Sequence, residues 1–375
     1  MKLIISTLSA LLFTGAYLSA QMPGMMTMQP SAPEGTALGA NTTSGAAGIA
    51  LGNRVVMRGY ADFIYGYTTK SNKPDDKTTL QDADTSDFST AADVDFLFDF
   101  SPITAELHFN ATNSNTISAT TSRTDQNAPQ NPANTYETTG TSAGVGLEQA
   151  FARYSFNRDF HITFGRQLTS LGFDDDEAPG LYTTSATYAN AGTSVHQNYN
   201  DGIRANFNNG RFGFILGLYD GYWTNSDFNS DKVGIDIGAS LMIVPGLEYR
   251  IGYAHNGVDN GGLNDNITQF NTWLSYNPGA LTLAIEYDKY DVMGTDIADI
   301  MLLANYQFSD LIAASLRYVY EDVELNMNDS DRITLALLFS ITQNFGLNFE
   351  YSHWAVNADK DYSINEFYVE GLITF

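Results

Sequence analysis

From about residue 54 to the carboxyl end, apolar and polar residues alternate with a period of two, in segments that come in pairs. Val94, Phe96, Phe98 and Phe100 oppose Asp93, Asp95, Leu97 and Asp99, and Ile333, Leu335, Leu337 and Phe339 oppose Thr334, Ala336, Leu338 and Ser340. The members of each pair meet at seven short turns: Ser101-Pro102, Asn157-Arg158-Asp159, Asn208-Asn209-Gly210, Pro245-Gly246, Asn277-Pro278-Gly279, Ser309-Asp310 and Gln343-Asn344. Eight longer connections separate the pairs, at about 69–89, 112–144, 169–199, 220–230, 256–265, 291–297, 321–330 and 355–362. Seven short turns and eight long loops require sixteen strands, with both termini on the short-turn side. Strands of about 9 to 12 residues, each with one apolar face, suit tilted membrane crossings. A soluble sandwich also alternates, but it does not supply sixteen such strands at this short–long spacing. The predicted fold is all-β, a transmembrane antiparallel up-and-down β-barrel of about 16 strands.

The final stretch fits that reading. Phe367, Val369, Gly371, Ile373 and Phe375 share one face, and Glu366, Tyr368, Glu370, Leu372 and Thr374 share the other. A barrel's last strand pairs with its first and meets lipid along one face, which gives a terminal Phe a role. The pattern resembles the carboxy-terminal signal of bacterial outer-membrane barrels, so Phe375 is the candidate assembly signal and the outer-membrane assembly machinery a partner. At the other end, Lys2 and the apolar run after it predict a signal peptide over residues 1–20. Residues 21–52 are rich in Met, Pro, Gly and Ala without periodicity and read as a flexible periplasmic segment, and 53–375 as the barrel. The Met cluster in that segment (Met22, Met25, Met26, Met28) has no His or Cys near it and reads as linker rather than as a copper site. Aromatics near strand ends (Tyr65, Tyr67, Tyr219, Tyr222, Trp223, Tyr318, Tyr320) read as interfacial girdles.

Charge and composition narrow the function. Asp plus Glu number 43 against 18 Lys plus Arg, a net charge of −25, which argues against nucleic acid or anionic lipid as a partner. With no Cys there is no disulfide, thiol nucleophile or thiolate metal site. None of the five His sits in a nucleophile motif such as Gly-X-Ser-X-Gly, so no catalytic residue, cofactor or resident metal is assigned.

Polar strand faces should line the interior. They contribute the bases Arg58, Arg153, Arg204, Arg250 and Arg317. Twelve acids oppose those five, among them Asp62, Asp93, Asp95, Glu106, Asp236, Glu248, Glu286, Glu350 and Glu370. The third long connection carries the other candidates. Gly165 to Phe173 read GRQLTSLGF and are followed by Asp174, Asp175, Asp176 and Glu177. Simple alternation puts Arg166 on the lipid face, at a cost of about 2–4 kcal/mol near the midplane. A bulge at Gly165 would turn it inward, and placement at the strand end is the alternative. At about 30 residues the connection is long enough to enter the lumen, where its acids would lie at a constriction. Calcium at 174–177 is a weaker reading, because a known loop spacing is missing.

GlyArgGln closing the fifth strand before a long third loop resembles general bacterial porins. Leu147-Glu148-Gln149-Ala150, GlyArgGlnLeuThrSerLeuGlyPhe and AspGlyIleArgAlaAsnPhe are more specifically similar to the OmpL-like β-barrel porin family, over about residues 54 to 375. The resemblance implies passive passage of small hydrophilic solutes and ions across outer-membrane lipid. The Pro-Glu-Phe of enterobacterial constriction loops is absent from this loop. The acid excess predicts cation preference. A non-conducting adhesive barrel and a sugar-type channel with an aromatic track (Tyr60, Phe151, Trp273) are the rival readings, and a homotrimer is left open.

Overall fold

Strict alternation produces a sheet with one dry and one wet face, and here the sheet closes on itself. The computed structural model describes residues 48–72, 81–122, 134–174, 177–185, 199–223, 233–258, 265–292, 294–324, 329–357 and 362–375. A two-residue strand, β1 (Ile49–Ala50), pairs with the start of the barrel. The barrel strands are β2 (Val55–Asn72), β3 (Gln81–Phe100), β4 (Ile103–Ser122), β5 (Asn134–Ser155), β6 (Phe160–Leu168), β7 (Tyr199–Asn208), β8 (Phe212–Tyr219) and β9 (Gly234–Val244). They continue with β10 (Leu247–Val258), β11 (Asp265–Tyr276), β12 (Leu281–Val292), β13 (Thr295–Gln307), β14 (Ile312–Val323), β15 (Asp329–Thr342), β16 (Phe345–Asn357) and β17 (Tyr362–Thr374).

Each strand pairs antiparallel with the next, and β17 returns to β2 in a register running from Tyr362↔Asn72 to Thr374↔Tyr60. Phe375 completes the seam: its N–H donates to the Gly59 carbonyl and its carbonyl accepts from the Gly59 N–H, both at 3.0 Å. Closure removes every sheet edge, which a strand surrounded by hydrocarbon requires. No described helix is long and apolar enough to cross a membrane, so strands do the crossing.

The predicted short turns are all present, and side chains bridge their backbone. Asn157 accepts from Asp159 N–H at 2.8 Å, Asn208 from Gly210 N–H at 2.7 Å and Asn209 from Phe212 N–H at 2.8 Å. Such Asx bonds substitute for ladder bonds that the reversing chain cannot make. Gly210 and Gly246 have φ of 81°, the left-handed region that a tight reversal needs.

Outward positions are apolar and exposed: Ile203, Leu216, Ile237, Ile285, Leu302, Leu316, Leu335 and Phe367 are examples. Exposed aromatics rim the short-turn end, with Tyr154 edge-on to Phe156 at 4.8 Å and Tyr306 edge-on to Phe308 at 5.0 Å. An apolar outer band with an aromatic rim on a closed sixteen-strand sheet is the construction of a bacterial outer-membrane barrel. Tyr65 and Tyr67 are exposed as expected. Tyr219 and Tyr222 are not part of a girdle. Both are buried inside: Tyr219 falls on the inward parity of β8, and Tyr222, just beyond that strand, meets Thr169 through its hydroxyl at 2.6 Å.

Strand length departs from expectation at the start of the barrel. β2 to β5 run for 18, 20, 20 and 22 residues and continue through much of the stretches expected to be loops at 69–89 and 112–144. Twenty residues extend about 66 Å at ~3.3 Å each, more than twice a ~30 Å hydrocarbon core even before tilt is counted. The outer ends therefore stand clear of lipid. Thr, Ser and Asn populate them, so they keep ladder hydrogen bonds without any need for an apolar face.

Candidate functional site

Most of the charged residues that strand parity turns inward are buried. Arg58, Asp62, Asp95, Glu106, Arg153, Arg204, Asp236, Glu286, Arg317 and Glu350 are all buried, and Arg250 is half-buried beside Glu248. Neighbouring strands pair them with one another and with neutral donors. Arg58 Nε approaches Asp95 Oδ2 at 3.9 Å, Arg153 lies over the Phe151 ring at 5.6 Å, and Asp62 sits beside Glu370. Asn271 donates to Glu286 at 2.8 Å and to Asp288 at 2.9 Å. One arginine was not anticipated. Arg332, at the start of β15, is buried over Trp354 at 4.4 Å and bonds Glu366 at 3.0 Å. Counting parity back from Thr334 places it inward, but it precedes the apolar run by which the strand was recognised.

The third loop leaves β6 at Leu168 and runs across the interior. Its first residue is fixed from two sides: Leu168 N–H donates to Gln149 Oε1 at 2.9 Å, and Arg204 donates to the Leu168 carbonyl at 2.8 Å. The chain then bonds successive wall strands. Ser170 Oγ donates to Asp236 on β9 at 2.8 Å, Gly172 N–H to Asn271 on β11 at 3.3 Å, and Phe173 N–H to Glu286 on β12 at 2.7 Å. After a 3-10 turn at Ala178–Gly180 it reaches the far wall. There Thr184 Oγ1 donates to Glu370 on β17 at 2.8 Å and Ser185 N–H to Glu350 on β16 at 3.1 Å, while the Ser185 hydroxyl also bonds Glu350.

Arg317 on β14 ties the two limbs of the loop together. Its Nη1 meets Asp174 at 3.2 Å, Thr183 Oγ1 at 2.7 Å and the Ser185 carbonyl at 2.7 Å, and its Nη2 donates to Ser185 Oγ at 2.9 Å. Apolar packing adds to this. Phe173 stacks with Tyr182 at 6.1 Å and meets Trp273 edge-on at 5.6 Å, over Met301, Leu303 and Val319. Leu171 packs with Tyr219, Tyr222 and Ala254. Gly252 makes room for it: a Cβ there would lie 2.2 Å from Leu171 Cδ2.

The loop acids therefore have separate settings. Asp174 is paired with Arg317, and Glu177 is buried within electrostatic reach of Arg58 and Asp93 on the opposite wall. Asp175 and Asp176 lie outside the described residues. Arg166 is not turned inward. No register shift interrupts the pairing of β6 with β5 or β7, and Arg166 stays outward, directly opposite Asp201 at 2.9 Å and over Tyr199 at 5.5 Å. Gly165 absorbs the local strain without an extra residue. Its φ is 120°, and a Cβ there would stand 2.2 Å from the Ala150 carbonyl oxygen. At the strand end, with a carboxylate across from it, the arginine avoids the midplane penalty.

No family model matches the sequence, and no curated protein matches it. Solved outer-membrane channels share its fold. The anion-selective porin from Comamonas acidovorans aligns with a TM-score of 0.55 at 15% identity, covering 86% of this chain and 99% of that one. The outer membrane channel DcaP of Acinetobacter baumannii aligns at 0.55 and 10% identity, covering 88% and 100%. Salmonella typhi OmpF, in complex with daunomycin, aligns at 0.54 and 14% identity, covering 86% and 98%. The chain thus shares the closed β-barrel fold of these outer-membrane channels.

Proposed function

We propose that the protein is a porin: a water-filled channel for small hydrophilic solutes and ions, narrowed by its third loop and preferring cations. The observation that carries this reading is the loop's course across the interior, bonded to the wall from β5 to β17. Sixteen strands enclose a lumen wide enough for water, and a loop fixed across it sets the limiting cross-section. The buried charges of the interior are mostly acidic, with Arg58, Arg153, Arg204, Arg317 and Arg332 outnumbered by Asp and Glu. That excess raises local cation concentration in a low-dielectric tube. The Comamonas porin of the same fold is anion-selective, so selectivity here rests on this chain's own lumen residues. The likeness to the OmpL-like porins rests on the three motifs alone.

The protein is read as non-enzymatic: the ring nitrogens of His108, the most enclosed histidine among the described residues, face Glu106, Asp95 and Gln149, none of them a nucleophile. Residues 1–20 are read as a cleaved signal and 21–52 as a periplasmic extension whose last residues, Ile49–Ala50, join the sheet. Liposome swelling tests the channel reading. Vesicles carrying the purified protein should swell in small sugars and progressively less in larger ones. Vesicles that stay as tight as protein-free controls would favour the adhesive-barrel alternative.

A further inference from the structure

We propose that Asp93, Asp95 and His108 form a binding site for one divalent transition-metal cation on the inner wall, facing the third loop. One ligand atom from each lies within 4.8 Å of the others, and all three residues are fully buried. Two ligands on opposite sides of Zn2+ span about 4 Å at ~2.0–2.1 Å each, so small side-chain adjustments close the site. Two carboxylates and one imidazole form a donor set of the borderline kind that takes Zn2+ or Mn2+ rather than a soft metal.

The histidine is already oriented. Its Nε2 lies 3.1 Å from Glu106 Oε2, and a donated N–H there leaves the Nδ1 lone pair facing Asp95 Oδ1 at 3.0 Å and the Gln149 amide nitrogen at 3.1 Å, so metal binding requires the Gln149 amide to turn aside. A carboxylate that receives the second ring N–H is the usual support of a metal-bound histidine. The backbone supplies another acid. The register between β4 and β5 shifts between His108 and Phe109, leaving Glu148 as the unpaired bulge residue, and its carboxylate comes beside Asp93.

The competing account is an imidazolium held between Asp95 and Glu106, with no metal. It satisfies those two residues but leaves the two buried oxygens of Asp93 against other carboxyl groups, Asp95 and Glu148, with no N–H donor. Leaving a buried carboxylate without a partner is costly. The nearest arginine is Arg58, and it reaches Asp95 rather than Asp93, at 3.9 Å. Five carboxylates (Asp93, Asp95, Glu106, Glu148 and Glu177) thus gather around Arg58 and one imidazole, with Arg153 acting on Glu106 from the next strand. A divalent cation bound to Asp93 offsets this excess and occupies the unsatisfied oxygens. It also places a positive charge where Glu177 brings the loop close to β2 and β3.

The test is a Zn2+ titration of the purified, chelator-washed barrel by isothermal calorimetry, with X-ray absorption on the one-to-one complex. Folding of each variant is checked by heat-modifiable gel migration. We expect one Zn2+ per chain and the multiple-scattering signature of one imidazole. Asp93→Asn and His108→Gln should each weaken binding by more than the roughly 10- to 100-fold typical of losing an outer-shell partner. Glu248→Gln, on the far side of the lumen wall, should bind as the native chain does. No zinc uptake by the native barrel would overturn the site in favour of the imidazolium. Uptake without an imidazole signature, or unaltered in both folded variants, would place the metal elsewhere and overturn it equally. If the variants fail to fold, the absorption spectrum of the native complex decides alone.

Discussion

Replacing Arg317 with Gln should loosen the Thr183–Ser185 end of the third loop, which keeps its bonds to Glu350 and Glu370, while leaving the other end docked. Arg317 is fully buried and makes four bonds to Asp174, Thr183 and Ser185. Removing one partner of a buried ion pair costs about 3–5 kcal/mol, mostly because the other charge is stranded. At about 1.4 kcal/mol per decade, the docking equilibrium of that end falls roughly a hundred- to a few-thousandfold. The apolar side of the loop opposes full release. Leu171, Phe173 and Tyr182 are each more than nine-tenths buried, and burial of each is worth about 1.5–3 kcal/mol, roughly 5–9 together. Apolar docking therefore outweighs the lost ion pair, and Leu171–Phe173 stay in place. The expected single-channel record shows added open-state noise with a modest rise in mean conductance. Adding Phe173→Ala should produce a further, larger step. The barrel itself should survive heating as the native one does, because no ladder bond is touched. A folded Arg317→Gln channel as quiet and as narrow as the native one would refute the claim that this residue holds the loop.

Three further outcomes follow from the same geometry. Deleting Phe375 removes both closing bonds to Gly59 and should lower the heat-resistant barrel recovered from outer membranes; full recovery would deny the residue a role in assembly. Arg166→Gln should leave conductance and selectivity unaltered, because the side chain lies outside the lumen against Asp201; a shift in reversal potential would show that it reaches the pore. Changing Asp174, Asp175, Asp176 and Glu177 together to Asn or Gln removes the Asp174 carboxylate from beside Arg317 and should weaken cation preference, most at low ionic strength where screening lengths exceed about 10 Å. Undiminished preference would assign selectivity to the strand wall.

Strand count, turn positions and facing were legible in the sequence because each is a local pattern. A period of two fixes which side chains share a face, and lipid demands that one face be apolar. The outer halves of β2 to β5 escaped that logic because outside the membrane neither face has to be apolar. Arg332 was missed for a related reason, since it lies at a strand's outer end. The direction of Arg166 depended on whether Gly165 inserts a residue or takes a positive φ, and both fit the same letters. The loop's anchors join residues far apart in the chain: Asp174 with Arg317, and Ser185 with Glu350. Periodicity showed that Glu350 and Arg317 face inward but carried no information about what they meet there.

The most direct test of the account is current through the purified barrel in a planar bilayer under a KCl gradient. Discrete conductance steps are predicted, with a reversal potential whose sign shows K+ crossing more readily than Cl−. A barrel that inserts but stays electrically silent would contradict the channel, and steps that reverse on the anion side would contradict the reading of its acidic lumen.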